Sequence, residues 1–176
     1  MVNLLTALTG ASIEHNNSPI DDNAWDENLS TYYGVSIQQS GGGSKSNTIY
    51  SGHTFSGTYT IHEIVTKIYI HQWSSSGASN NSSSASASVE IYRSGAWETV
   101  SGMTISVSGG GDSNSSDTLE VTLSGTDLSL TGVERIRASV YVYAHQDGDG
   151  GGQGADGKIY ELQAWGDIGG GYGVLI

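Results

Sequence analysis

The sequence predicts an all-β fold, a sandwich or barrel of about eight short strands with almost no helix. Three observations carry that expectation. Several segments alternate apolar and polar residues with period two, as half-buried strands do; Leu119, Val121, Leu123 and Ile136, Ala138, Val140, Val142 are the clearest. Runs of Gly, Ser and Asn stand between those segments as turn signals. No segment long enough for a helix shows a 3.6-residue apolar period with capping residues.

In chain order, residues 1–12 have mild strand character and suit a sandwich edge, and residues 13–34 read as loop, with the only proline, Pro19. Val35 to Gln38 suits a short strand. Ser40 to Ser46 reads as a Gly/Ser turn, and Thr48 to Ser51 is ambiguous. Thr58 to Trp73 is the first strong signal, either two strands or one strand bent near His62-Glu63. Within it Ile68, Ile70 and Gln72 share one face, and Lys67, Tyr69, His71 and Trp73 share the other. Ser74 to Ser84 has almost no apolar side chain to bury and reads as an exposed loop. Ala87, Val89 and Ile91 point inward against Ser88, Glu90 and Tyr92. Ser94-Gly95-Ala96 is a hairpin signal, with Trp97 to Val100 pairing back and Met103 to Val107 after it. Gly109 to Ser116 reads as a turn, Leu119 to Ser124 as a strand and Leu128 to Val133 as a corner. Arg135 to Ala144 is a strand, His145 to Lys158 a long Gly-rich loop, and Ile159 to Trp165 the closing strand.

A chain of 176 residues suits one domain able to bury roughly 70% of its unfolded surface. The division expected is a sandwich over residues 1–166 and a Gly-rich tail over 167–176. The net charge is −12, from 18 acidic and 6 basic residues. That balance argues against nucleic acid, whose phosphates need a basic stripe, and against anionic membrane surfaces. No apolar run approaches the roughly 20 residues of a membrane span, and no signal-peptide pattern is seen. There is no Cys and hence no disulfide framework. Polarity comes mainly from Ser, Thr, Asn and Gly, a texture suited to an extracellular or virion surface.

The stretch from Asn23 to Tyr33, NAWDENLSTYY, mixes carboxylates, amides, hydroxyls and aromatics beyond the needs of a turn. Asp26, Asn28 and Thr31 offer hard oxygens close together, the donor type that Ca²⁺ takes. The pattern N-A-x-D-x-N-x-x-T-x-aromatic resembles the N-terminal signature of discoidin-like domains (coagulation factor 5/8 type C). Those domains belong to the galactose-binding-like sandwiches, which include many carbohydrate-binding modules. Asn3-Leu4-Leu5-Thr6 with Ala11-Ser12 resembles the family's opening, and Ile159-Tyr160-Glu161-Leu162-Gln163-Ala164-Trp165-Gly166 its closing strand. One departure is Glu27, where the family commonly has Gly. The resemblance implies a jelly-roll β-sandwich. It also implies a structural calcium ion held by Asp26, Asn28, Thr31 and Glu161, joining the signature loop to the last strand. The alternative for Asp26 is an Asx-turn that caps local amides.

His145-Gln146-Asp147-Gly148-Asp149-Gly150 places Asp at alternate positions with Gly, but lacks the distal Glu and flanking helices of an EF-hand. It reads as an acidic surface loop or a ligand-contact loop. A sugar-binding module needs an exposed flat ring for the C–H face of a pyranose. Trp97 follows a hairpin turn and suits hairpin packing, while Trp25 and Trp165 stand in signature positions and should be buried. Trp73, ending a strand, with His71 and Tyr143, is the expected exposed set. The candidate ligand residues are therefore His71, Trp73, Tyr143, His145, Asp147 and Asp149. The five histidines form no H-x-x-x-H or H-x-H pair, so no zinc site is indicated, and no G-x-S-x-G is present. Counting Asp and Glu leaves a glycosidase pair open, but no acidic residue stands in a recognisable catalytic setting, and no enzymatic activity is expected.

The function expected is non-catalytic recognition of a surface glycan, as a virion component such as a tail-fibre, receptor-binding or capsid-decoration protein. The apolar end Val174-Leu175-Ile176 would dock in other virion subunits or in a second copy of the chain. The rivals are a purely structural decoration or assembly protein, and a carbohydrate-binding module excised from a carbohydrate-active enzyme.

Overall fold

The computed structural model describes residues 2–3, 13–15, 32–75, 80–110, 114–148 and 151–168. Nine strands lie in these segments and no helix does: β1 (Val2–Asn3), β2 (Ile13–His15), β3 (Tyr33–Gln39), β4 (Gly43–Ser74), β5 (Ser82–Arg93), β6 (Ala96–Gly110), β7 (Ser115–Gly125), β8 (Leu130–Gln146) and β9 (Gln153–Ile168). All described pairings are antiparallel. The ladder runs β1-β9-β4-β8-β5-β6, with β2 and β7 also on β4, and β3 on β9.

The 32-residue β4 belongs to both halves of the molecule. Its first half, Gly43 to Thr54, pairs with β8, and its second half, Tyr59 to Ser74, pairs with β9 and β7. Register shifts near Tyr59, Ile61 and Glu63 mark the bend between them, as bulges do. One layer is thus β3-β9-β4-β7 and the other β4-β8-β5-β6. They pack face to face as a β-sandwich with a jelly-roll character. Ile64, Ile68, Ile70, Ile159 and Leu162 line one inner face, and Ala85, Val89, Ile136, Ala138, Val140 and Val142 the other; each is fully buried. Gly157 sits against the Val140 side chain across the sandwich, where even a methyl group would clash. The core ends in a polar row, in which Ser83 Oγ donates to Gln72 Oε1 at 2.7 Å, both side chains buried.

The alternations of β5, β7 and β8 fall on the faces expected from the sequence. The Ser94-Gly95 turn has φ of 53° and 82°, the doubly positive pair of a type I′ hairpin. Several boundaries differ. Residues 43–51 are strand rather than turn and ambiguous segment, because Ile49, Ser51 and His53 point into the core while Ser44 and Ser46 are exposed. Ile13–His15 pairs with Ser51 to His53 instead of looping. Ser82 to Ser84 opens β5, anchored by the Ser83 hydrogen bond. Gly109-Gly110 and Ser115-Ser116 extend β6 and β7. Of the loop expected over His145 to Lys158, His145 and Gln146 end β8, and Gln153 to Lys158 pairs with both β3 and β4. Trp165 is half-buried rather than buried.

Candidate functional site

Because Ile68, Ile70 and Gln72 point inward, Tyr69, His71 and Trp73 must point outward from β4. The register then fixes their neighbours. Trp73 faces Gly154 of β9 and Ser116 of β7; His71 faces Asp156 and Thr118; Tyr69 faces Lys158 and Glu120. Directly opposed residues share a sheet face, so three strands present one continuous outer surface. The Trp73 indole lies across the β9 backbone. A methyl group on Gly154 would stand 2.6 Å from Cζ2, and one on Gly152 3.2 Å from Cη2. The ring is half-buried, with its inner side against the two glycines.

Beside it, His71 Nδ1 is 3.1 Å from Asp156 Oδ2 and Nε2 is 3.1 Å from Ser116 Oγ. Lys158 Nζ lies 4.3 Å from the Tyr32 ring centre and 5.0 Å from that of Tyr69. Tyr69 has its hydroxyl pKa raised, first by burial and then by the Asp156 charge. Lys67 Nζ reaches Glu120 at 2.7 Å and the Tyr160 ring at 4.5 Å. The Glu120 hydrogen bond raises the lysine pKa.

The order Ser116–His71–Asp156 is that of a nucleophilic triad. Acyl transfer also needs donors aimed at the developing oxyanion. Ladder amides lie in the plane of the sheet and point at neighbouring strands, so they do not reach the space above an outer face. The hydrogen-bond chain orients the imidazole and presents polar groups beside the indole.

The opposite outer face belongs to β4-β8-β5-β6. Tyr143 and His145 stand here: Ser44 Oγ is 3.3 Å from Tyr143 Oη and 2.8 Å from His145 Nδ1. His145 Nε2 reaches Asp147 Oδ1 at 3.2 Å, and Asn80 Nδ2 donates to Asp147 Oδ2 at 2.6 Å. The Asn80 hydrogen bond, then the His145 one, holds the Asp147 carboxyl below its usual pKa. Further along the face, a depression of about 350 Å³ is lined by Ser86, Ser88, Thr104, Ser106, Ser139 and Tyr141, with Ala87 and Ile105. At its far side Arg137 Nε meets Glu90 Oε2 at 2.6 Å, and the guanidinium stacks on Trp97 at 3.8 Å and Tyr50 at 4.4 Å. Trp97 also meets Tyr92 edge-on at 5.4 Å, the hairpin packing expected of it.

The candidate ligand residues thus fall on two faces. His71 and Trp73 lie together on one, Tyr143 and His145 on the other, with Asp147 in the adjoining turn. Asp149 lies outside the described residues, as do Asp26, Asn28 and Thr31. Glu161 is on β9 opposite Lys67, with its side chain only 4% exposed; its backbone carbonyl accepts from Thr66 Oγ1 at 2.7 Å. Among the described residues, no three His, Asp or Glu side chains gather as a metal site would require. Sequence reading missed Ser116, Gly152, Gly154 and Lys158 as parts of the Trp73 surface. The available signal was the two-residue spacing of Gly152, Gly154, Asp156 and Lys158, a strand period inside a Gly-rich stretch.

No family model matches the chain, and no curated protein does. Among solved structures it is similar to TmCBM61 in complex with beta-1,4-galactotriose, at 10% identity over 94% of each chain with a TM-score of 0.29. It is also similar to the Cowpea Mosaic Virus empty virus-like particle, at 10% identity over 90% of this chain and 93% of that one, with a TM-score of 0.28. Superpositions this loose carry neither a site nor an activity to this chain.

Proposed function

We propose that the chain is a non-catalytic glycan-recognition module acting on a virion or other extracellular surface. One observation carries the reading: Trp73 is laid across two glycines of a rigid sheet, beside an ordered Ser116–His71–Asp156 hydrogen-bond chain. A pyranose packs its C–H face on such a ring while its hydroxyls exchange hydrogen bonds with the side chains next to it. Few rotors need freezing on binding, which favours affinity. The hydroxyl-rich strand surfaces and the acidic net charge suit a protein surface exposed outside a cell.

The family resemblance also suggests a structural calcium ion. Glu161 lies buried on the closing strand. With Asp26, Asn28 and Thr31 it would supply hard oxygens of the kind calcium takes.

A glycan array probed with wild type and Trp73→Ala tests the recognition. Wild type is expected to bind, and the variant to lose about tenfold in affinity, as removal of a stacking ring does. Equal binding by both proteins would show that Trp73 is not the platform.

A further inference from the structure

We propose that the module carries a second saccharide site on its opposite face, in the depression beside Tyr141, so that one domain can bridge two polysaccharide chains. The ligand class rests on the glycan reading above; the site itself rests on separate residues. Its lining offers six hydroxyls, from Ser86, Ser88, Thr104, Ser106, Ser139 and Tyr141, and no charged side chain. In a chain of net charge −12, an uncharged concavity is selective by itself. Each hydroxyl can both donate and accept, which matches a polyhydroxylated neutral ligand better than a phosphate, a sulfate or an apolar group. The nearest ion pair, Glu90 with Arg137, is engaged internally at 2.6 Å, and the guanidinium is covered by Trp97.

The hydroxyls cannot shift independently. Register places Ser86 between Ser106 and Tyr141, and Ser88 between Thr104 and Ser139. They form a grid with rows about 4.8 Å apart across strands and about 6.8 Å apart along them. Beneath it, Ala85, Ala87 and Val89 lock β5 into the core, with at most 4% exposure. Tyr141, 39% exposed, stands at the side as a free ring for stacking. On the other face the Trp73 ring presents its own surface, so the two sites point in opposite directions and cannot serve one short oligosaccharide.

The test is affinity electrophoresis in gels containing soluble neutral galactan, glucan, mannan or xylan, with turbidity of the same mixtures in solution. The proteins are wild type, Trp73→Ala, Tyr141→Ala, Ser106→Gln (which fills the depression from edge strand β6) and the Trp73/Tyr141 double variant. The expected result is retardation of wild type in at least one gel, weaker retardation of each single variant, and none for the double variant. Wild type should cloud the polysaccharide, and each single variant should not. If Tyr141→Ala and Ser106→Gln match wild type while Trp73→Ala loses retardation, the second site is overturned and the first stands. If only Trp73→Ala matches wild type, the second site stands and the Trp73 reading falls. No retardation in any gel overturns both. Light scattering closes the remaining route: a wild-type dimer that Tyr141→Ala splits would assign the depression to a second copy of the chain and overturn the saccharide site.

Discussion

The absence of a side chain at residue 154 decides where the Trp73 ring lies. A methyl group there would fall 2.6 Å from Cζ2 of the indole, inside van der Waals contact, and the sheet beneath cannot give way because Ala155 and Ile159 are fully buried in the core. The ring must lift or rotate instead. Gly154→Ala is therefore expected to cost about 1–3 kcal/mol, the range for overpacked sites, and to weaken glycan binding along with stability. Gly41→Ala is the control: nothing lies within 4 Å of the added methyl, so its effect should stay within about 0.5 kcal/mol. Urea melts of both variants, with tryptophan emission followed in parallel, check this. A Gly154→Ala protein as stable as wild type would mean that the indole has an alternative seat. This is also where sequence reading stops short at the residue scale. A glycine required by a flexible turn and one required by an overlying ring look the same in a sequence, and composition favours the turn.

At the scale of elements, strands with clean alternation were legible. Ile136, Ala138, Val140 and Val142 of β8, and Ala87, Val89 and Ile91 of β5, lie inward as their pattern demands. Illegible were the first half of β4 and the start of β9, whose outward residues include Ser44, Ser46, Gly154, Asp156 and Lys158 and whose inward ones include Ser51 and Gln153. Such segments are strands because two neighbours pair with them, not because of local propensity. The Trp73 surface was half legible for the same reason. His71 lies 85 residues from Asp156 and 45 from Ser116, and only register brings them together. Register also creates a pH-sensitive clasp between elements. His62 of β4 faces Asp167 of β9 at 2.8 Å and the Leu128 carbonyl at 3.2 Å. The Asp167 hydrogen bond, then the Leu128 one, raises the His62 pKa. A raised histidine pKa stabilises fully below the unfolded value of about 6.5 and loses that contribution as pH rises through the folded value. His53, buried on the same strand, has its pKa lowered by desolvation; its contribution is present above about 6.5 and is lost as pH falls through the folded value. Stability should therefore decline on both sides of neutrality. His62→Gln should flatten the alkaline limb of the Tm–pH profile and leave the acid limb in place. Flattening of the acid limb instead would contradict this division of roles.

The whole molecule combines a net charge of −12 with a sandwich whose closing strand buries a carboxylate. Self-repulsion at that charge works against the compact state, and Glu161 lies 4% exposed on β9. A cation shared between Glu161 and the Asp26–Thr31 stretch would relieve that repulsion and tie the start of the chain to its last strand. Binding to the folded state alone stabilises by RT ln(1 + [L]/Kd), about 2.7 kcal/mol at a hundredfold excess over Kd. For a domain of this size each kcal/mol moves Tm by about 2–4 °C. EDTA is therefore expected to lower Tm by about 5–10 °C, and excess calcium to restore it. Magnesium should restore less, because it requires tighter octahedral geometry and gives up its waters reluctantly. Glu161→Gln separates this from a general ionic effect. Salt screening of a charged surface would persist in the variant, whereas a specific site loses its calcium response with the carboxylate. If wild type and Glu161→Gln show the same Tm with EDTA and with calcium, no ion is held there and the calcium proposal falls.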